Sequence, residues 1–272
     1  MLKKTKRIII MLIITYLILL TWQIFTGIKE NQGVLSSKGN ISVALFFDLQ
    51  IGGWNDKIEI DIVRMVLVST LVAGLFIYLK NSNMFSNIQQ RIGYRQFLKK
   101  ATFNTFLCGM SLSIITNLYE MLLINLFYFP FVYNFHDIGL SEGMRPGYFT
   151  TNDLTEIIVF IMPAAIGWGI FAILVFSVGL FVQKNALYIG VGPILGLILI
   201  LLPVLGNMNN IVWRTFVFSW FLYTLVAPGQ STFMGQRPPV NSLVAFVLAS
   251  LIYLTVSLLL INFWYRRKRR KG

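Results

Sequence analysis

Residues 240–272 read VNSLVAFVLASLIYLTVSLLLINFWYRRKRRKG, and they indicate what class of protein this is. Val240–Trp264 is predominantly apolar and exceeds the roughly 20 residues that an α-helix needs to cross about 30 Å of hydrocarbon. Trp264 and Tyr265 stand at its end, a position typical of the membrane–water interface. The six basic residues Arg266–Lys271 follow at once. Because Lys and Arg accumulate on the cytoplasmic side of membrane proteins, this stretch predicts a spanning helix with a cytoplasmic basic end.

Further apolar runs of comparable length precede this one, and the whole chain is 56% hydrophobic with a mean hydropathy of +0.72. These runs are Ile8–Phe25, Ile62–Leu79, Phe103–Phe129, Ile157–Val182 and Ala186–Gly206. The first resembles a signal peptide, because basic residues precede it. At about 18 residues, however, it is longer than a usual signal-peptide core, and no small-residue cleavage site follows. We therefore expect a retained first span and six spans in all.

The charges of the connecting segments separate by sign. When the segments are read alternately as inside and outside, starting inside, the inside segments contain no Asp or Glu. Nine of the ten acids lie in the outside segments, and the tenth, Glu120, lies within an apolar run. The inside segments hold Lys3, Lys4, Lys6, Arg7, Lys80, Arg91, Arg95, Lys99, Lys100, Lys184 and the tail Arg266–Lys271. This positive-inside bias predicts one all-α transmembrane domain over residues 1–272, with both termini cytoplasmic in the cell membrane.

The seventh apolar run, Ile211–Ala227, does not fit an even number of spans. As a full span it would place the basic tail outside, against the charge bias. It contains Arg214, is rich in aromatic residues and ends at Pro228. Two readings stay open: a re-entrant outer element packed against protein, or an aromatic helix lying in the outer interface. A shorter stretch, 40–50, is ambiguous between a strand and an interfacial helix.

Several function classes lack the residues that they require. The net charge of +13 lies at the ends of apolar runs, which favours contact with lipid headgroups over nucleic-acid binding. Cys108 and His136 are the single cysteine and histidine of the chain, too few for a metal cluster or a His–Glu–x–x–His protease. A serine nucleophile with an intramembrane histidine is likewise absent from the sequence, as is a Walker loop for ATP. We therefore expect a protein that is not itself an enzyme and holds no cofactor.

The third span, 103–129, is the most polar. Small and polar residues fall within about a 120° arc at 100° per residue, and they are Thr102, Thr105, Gly109, Ser113, Thr116, Asn117 and Glu120. Asn104, Ser111 and Asn125 fall outside this arc. A polar stripe on a membrane helix faces protein or water. The stripe is therefore either a packing surface or the lining of a translocation path.

Two charged side chains are expected at similar depth near the outer ends of their helices. Glu120 lies about 25 Å along span three, and Arg64 lies just inside the outer end of span two. An ion pair between Arg64 and Glu120 would offset the desolvation of both groups, which makes a structural pair the leading hypothesis and a proton relay the alternative.

The cytoplasmic segment 81–102 contains a short amphipathic pattern. Phe85, Ile88 and Ile92 share one helical face, and Gly93 then interrupts the helix. Such a segment could lie on the membrane surface or insert into a groove on a partner protein.

This arrangement resembles the permease subunits of type-two ABC transporters. The resemblance is carried by six spans with both ends inside, an outer re-entrant-like element before the last span, and the stretch from Ile88 to Lys100, which reads IQQRIGYRQFLKK. It implies that the segment contacts a separate ATPase, which would hold ATP and Mg²⁺, and that a second permease, identical or paralogous, completes the pore. The implied coupling residues are Phe85, Ile88, Arg91, Ile92, Gly93, Tyr94, Arg95, Phe97 and Leu98. The alternative is an ATP-independent carrier or a membrane assembly factor. Export is favoured over import, and the substrate stays open.

Overall fold

The computed structural model describes residues 2–31, 41–50, 55–82, 84–133, 152–205, 210–230 and 238–270. Throughout these ranges the chain is almost entirely helical, and they contain no β-strand. The helices are α1 (Leu2–Asn31), α2 (Ile41–Gln50), α3 (Asn55–Leu67), α4 (Gly74–Asn81), α5 (Met84–Phe127), α6 (Asp153–Gly179), α7 (Asn185–Ile189), α8 (Val191–Leu201), α9 (Ile211–Trp220), α10 (Leu222–Val226) and α11 (Ser242–Arg269). The expected outer segment between spans three and four lies mostly outside the described residues.

Five helical stretches in the described part of the chain are long and apolar enough to cross a membrane. They are Ile10–Glu30, Gln90–Phe127, Asp153–Gly179, Asn185–Val204 and Ser242–Arg269. A bent pair, Ile58–Val72 with Gly74–Asn81, passes the same test, so the number of spans is five or up to six. A helical multi-pass membrane protein, as the sequence predicts, is confirmed to this extent.

The second predicted span, 62–79, is bent instead of straight. A π-helical turn, Val68–Val72, follows α3, and the helices on either side of the break differ in direction by 50°. The turn lets a backbone carbonyl go without its regular i+4 partner, which is a recognised cause of sharp helix bends. The bend brings the end of α4 onto the end of α6, where Lys80 makes the contacts described below.

The described part of the stretch 40–50, residues 41–50, proves to be helical. Ile41–Gln50 forms α2, and seven of its ten residues are buried, which is far more than a helix lying in the interface would bury. Its aromatic side chains Phe46 and Phe47 pack edge-on against Phe160 of α6. This helix is therefore an internal wedge between α1, α5 and α6.

The central helix of the bundle is α6. About 72% of its apolar window is buried, whereas the other four candidate spans bury 28–39% of theirs. Glycines allow its closest neighbours to approach: a Cβ at Gly109 of α5 would lie 2.8 Å from the Trp168 carbonyl oxygen. Similarly, Gly192 and Gly196 of α8 contact Met65 of α3, and the Gly192 amide donates to the Ser69 hydroxyl at 2.9 Å. Small residues one turn apart thus bring helix backbones together.

The seventh apolar run, 211–227, consists of two short helices. Extended backbone at Phe221 (φ −68°, ψ 125°) separates α9 from α10. The outer face of α9 is exposed at Ile211 and Val212, whereas every residue of α10 is buried. At the end of α10 the Leu225 carbonyl lies against Gly167, so closely that a Cβ there would overlap it. Gly167 lies near the middle of α6, so α10 reaches far into the helical bundle.

Candidate functional site

The polar stripe of α5 faces the protein interior. Thr105, Ser113, Asn117 and Glu120 are at most 5% exposed, and Gly109 is also buried. The polar residues outside the arc, Asn104, Ser111 and Asn125, are exposed. In this single chain the stripe therefore packs against neighbouring helices.

Hydrogen bonds from the first helix meet this stripe. The hydroxyls of Tyr16 and Thr116 lie 3.0 Å apart, and one turn further along, those of Thr21 and Tyr119 lie 2.9 Å apart. Buried hydroxyls need such partners, because an unpaired one costs about 1–3 kcal/mol. The pairing joins α1 to α5, and the sequence did not reveal it because contacts between distant helices leave no local pattern.

Glu120 is held by an amide from α2. The side chain of Gln50 donates from Nε2 to Glu120 Oε2 at 2.5 Å, with both groups buried. A hydrogen bond to a carboxylate is among the stronger ones in a protein interior. The sequence did not reveal this partner, because α2 was unresolved between strand and helix. Gln50 therefore contributes directly to the stabilisation of the charge on Glu120.

Arg64 is buried against an aromatic ring. Its guanidinium carbon lies 4.0 Å from the centroid of the Trp168 ring, and the residue is 6% exposed. Its Nε and Nη2 atoms have no hydrogen-bond partner within the described residues. A cation over an indole face is stabilised by the ring quadrupole, most strongly where water is excluded. The packing of α6 on α3 thus provides Arg64 with a partner that the sequence analysis did not anticipate.

Arg64 and Glu120 lie in one neighbourhood around Tyr16. Both groups act electrostatically on the Tyr16 hydroxyl, as does a third charged residue, Asp61. Arg64 lies against Trp168, and Glu120 accepts a hydrogen bond from Gln50. A direct ion pair between Arg64 and Glu120 remains a prediction.

Asp61 is the residue of this cluster that sequence reasoning missed. It lies one turn before Arg64 on α3, it is 3% exposed, and its Oδ2 atom has no hydrogen-bond partner in the described part of the chain. The Tyr223 hydroxyl of α10 is a polar group that another helix brings towards it, close enough to interact with the carboxylate electrostatically. Asp61, Arg64 and Glu120 form a buried cluster with one more acid than base.

The predicted coupling segment is divided by a kink. Gly93 adopts φ 72°, ψ 153° inside α5, a conformation that residues with a Cβ rarely adopt. On its N-terminal side Arg91 and Ile92 are exposed, and Arg95 is exposed just beyond it. The side chains of Phe85 and Ile88 lie outside the described residues.

The remaining residues of that segment anchor it to the spans. The Tyr94 ring lies edge-on to Trp264 of α11, with centroids 6.2 Å apart. Phe97 is 6% exposed and packs against Phe76 of α4 at 6.3 Å. Leu98 is 5% exposed. Tyr94, Phe97 and Leu98 therefore connect the segment to α4 and α11 within this chain.

Lys80 is a second residue whose role the sequence did not show. Its Nζ donates to three main-chain carbonyl oxygens at the end of α6, those of Gly179, Leu180 and Val182, at 3.2, 2.9 and 2.6 Å. The last carbonyls of a helix lack partners within the helix and carry its negative end of the dipole. A lysine from a neighbouring helix gives these carbonyls a donor and places a positive charge at the negative end of the dipole. Lys80 therefore ties the end of α4 to the end of α6.

Among the described residues no group of three or more His, Cys, Asp or Glu side chains could hold a metal ion. Cys108 lies on an exposed face of α5. Comparison of the chain with protein-family models, with curated proteins and with solved structures finds no match. The class that the fold defines is a helical multi-pass membrane protein.

Proposed function

We propose that this protein is the membrane-spanning permease subunit of an ABC exporter in the cell membrane. A separate ATPase would bind and hydrolyse ATP with Mg²⁺, and a second permease, identical or paralogous, would complete the translocation path. The observation that carries this proposal is the kinked segment around Gly93. Arg91 and Ile92 at the start of this segment are exposed, whereas Tyr94, Phe97 and Leu98 beyond the kink pack against the transmembrane helices.

A force applied to this segment has a physical route to the spans. The Tyr94–Trp264 contact leads to α11, and the Phe97–Phe76 contact leads to α4. Phe76 in turn packs against Phe176 of α6, with ring centroids 6.3 Å apart. Close-packed aromatic side chains transmit displacement because the interior is nearly incompressible. A partner that moved the exposed end would thereby move three helices together.

The exposed end of the segment suits a protein partner. Arg91 and Ile92 are exposed, and the stretch from Met84 to Lys100 contains no acid. An amphipathic helix of this kind can insert its apolar side into a groove while its cations meet acids at the rim. Arg91 and Arg95 would supply those rim contacts, each worth about 0–1 kcal/mol.

The proposed topology has six spans with both termini cytoplasmic, the bent pair α3–α4 counting as one span. It is supported by the acid-free inside segments and by Lys80, which joins the ends of α4 and α6 that this topology puts on the same side. The element 211–227 is proposed to re-enter the membrane from outside. Leu225 meets Gly167, which is about 21 Å along α6 from Asp153, a depth that an interfacial helix does not reach.

The first experiment tests the partner. The tagged protein is purified from its native membranes in a mild detergent, and the preparation is examined for an ATPase in stoichiometric amount and for ATP hydrolysis. Recovery of such a complex with vanadate-sensitive hydrolysis is expected. A protein that transports in proteoliposomes without any ATPase would contradict the proposal.

The second experiment tests the contact. On a Cys108→Ser background, a cysteine at Ile92 should cross-link to the ATPase. The matched control is a cysteine at Ile115, which is also exposed but lies in the middle of α5. Absence of a cross-link from Ile92, or a yield no higher than that from Ile115, would mean that the segment only rests on the membrane.

A second candidate function is an ATP-independent carrier. Asp61 and Arg64 favour it, because both are buried and each has atoms without a hydrogen-bond partner among the described residues, and intramembrane charges are typical of ion pathways. The two candidates differ in energy source. Transport abolished by a protonophore or ionophore while ATP is maintained would identify a carrier, and transport abolished by ATP depletion with the membrane potential clamped would identify an ABC subunit.

A further inference from the structure

A groove of about 880 Å³ opens between α5, α6 and α11, which is within the size range of small-molecule sites. Its apolar wall includes Ile170 of α6, which is almost fully buried, and Leu258 of α11, which is 57% exposed. Three cationic side chains border it: Arg95 and Lys99 of α5 and Arg269 of α11. Arg95 also belongs to the proposed coupling contact. The other residues named here belong neither to that contact nor to the buried cluster of Asp61, Arg64 and Glu120.

The groove changes character along its length. On α11 the lining runs from Arg269 and Tyr265 at one end to Leu254 at the other. The eleven residue steps from Leu254 to Tyr265 rise about 16 Å in a helix, which is close to half of the roughly 30 Å hydrocarbon core. The apolar part thus has the length of one leaflet, and a lipid chain that filled it would bring its headgroup to the cations.

The cations have no acidic counterpart nearby. Neither the stretch 84–119 of α5 nor the whole of α11 contains Asp or Glu. Within the described residues, no hydrogen bond or ion pair joins Arg95, Lys99 or Arg269 to another side chain. Three cations beside an apolar groove at membrane depth match a molecule with a phosphate head and acyl chains.

We propose that this groove is a binding site for one anionic phospholipid. The phosphate lies among Arg95, Lys99 and Arg269, and an acyl chain lies along Ile170, Leu258 and Leu254. A second copy of this chain is a poor occupant, because its own segments at the same membrane level are basic and free of acids. The site does not depend on the proposed transport function, since a carrier or an assembly factor would hold the lipid equally well.

The test uses the full-length protein purified in a neutral detergent and incubated with equal amounts of phosphatidylglycerol and phosphatidylcholine. Native mass spectrometry then counts the lipids retained. Phosphatidylglycerol should be retained at least about tenfold over phosphatidylcholine, because each cation near an anionic group favours it. Equal retention of the two lipids by the unaltered protein would overturn the proposal.

Two variants separate a site from general surface charge. Arg95→Gln with Lys99→Gln and Arg269→Gln should weaken phosphatidylglycerol binding on the order of a hundredfold. The matched control, Arg91→Gln with Arg266→Gln and Arg270→Gln, removes as many exposed cations outside the groove lining and should retain the preference. An equal loss in both variants would mean surface electrostatics only.

A third variant keeps every charge. Leu258→Trp places a large side chain in the apolar part of the groove and should displace the acyl chain, so lipid retention falls although the cations remain. Since Leu258 is exposed, this change is compatible with folding even if the triple variant is not. Unchanged retention in Leu258→Trp would show that no acyl chain lies in the groove and would overturn the proposal. A tightly held protein or peptide in place of lipid in the mass spectrum would overturn it as well.

Discussion

The Arg64 guanidinium lies over the Trp168 ring, 4.0 Å from its centroid, in the middle of the helical bundle. Arg64 is buried, and two of its nitrogens have no hydrogen-bond partner among the described residues. The indole face is therefore a substantial part of what stabilises this buried cation. It also ties α3 to α6, the central helix of the bundle.

Trp168→Leu is expected to destabilise the protein more than the loss of apolar contact alone predicts. A desolvated cation–π pair contributes about 2 kcal/mol, and this term should appear as coupling with Arg64→Gln in a double-mutant cycle. Thermal unfolding in detergent measures it. The control is Trp22→Leu, because Trp22 is 73% exposed on α1 and should show little change. Additive effects of Trp168→Leu and Arg64→Gln would mean that the ring does not stabilise the cation.

Gln50→Leu should release α2 from Glu120. The change removes a buried hydrogen bond to a charged group, worth about 1.5–3 kcal/mol, and leaves the carboxylate without this donor. Glu120→Gln should cost less, since an amide can still accept from Gln50.

A double-mutant cycle with Arg64→Gln and Glu120→Gln tests the predicted ion pair. A double variant that loses less stability than the sum of the two single losses supports the pair, and strict additivity rules it out.

Lys80→Met should detach the end of α4 from the end of α6. Three main-chain carbonyls lose a charged donor, so we expect a loss of about 2 kcal/mol, with partial retention in Lys80→Arg. The matched control is Lys184→Met, because Lys184 is exposed and its side chain caps nothing at the start of α7. Thermal unfolding and protease accessibility of the 180–185 connection measure the effect. Equal stability of both variants would show that the Lys80 contacts are not maintained.

Gly167→Ala should displace α10 from the bundle. The added methyl would overlap the Leu225 carbonyl, a backbone atom that cannot rotate away. Since α10 is completely buried, we expect a loss of several kcal/mol or a failure to fold, as for other overpacked sites. Gly190→Ala is the control, because a Cβ there meets its nearest atom at an ordinary 3.5 Å. Equal tolerance of both changes would mean that the 222–226 helix does not dock at Gly167.

The helical multi-pass character was predictable because each long span repeats one signal, an unbroken apolar run. The bend of the second span was not, since Val68–Val72 contains neither Pro nor Gly to announce it. Asp61 was missed because its environment is created by α10, which is distant in sequence. The contacts of Lys80 were missed for the same reason. Its charge predicted a position on the cytoplasmic side, but only the packing of α4 on α6 reveals the carbonyls that it binds. Contacts between distant helices leave no local pattern in the sequence.

Gly93→Ala separates the conformation of the kinked segment from its packing. A Cβ at Gly93 would meet no atom within 4 Å, so the substitution creates no clash. Its φ of 72° with ψ of 153° is nevertheless close to a region open essentially to glycine alone, and the strain is of order 1–3 kcal/mol. The chain can relieve that strain by straightening α5, which would swing the exposed Arg91–Ile92 end out of place while Tyr94 and Phe97 stay packed.

For Gly93→Ala we therefore expect normal membrane insertion and nearly normal thermal stability, together with loss of cross-linking from a cysteine at Ile92 to the ATPase and loss of transport. Gln96→Ala, at an exposed helical position just beyond the kink, should leave both unchanged. If Gly93→Ala retains cross-linking and transport, the direction of the segment has no part in energy coupling, and the proposed role of this kink is wrong.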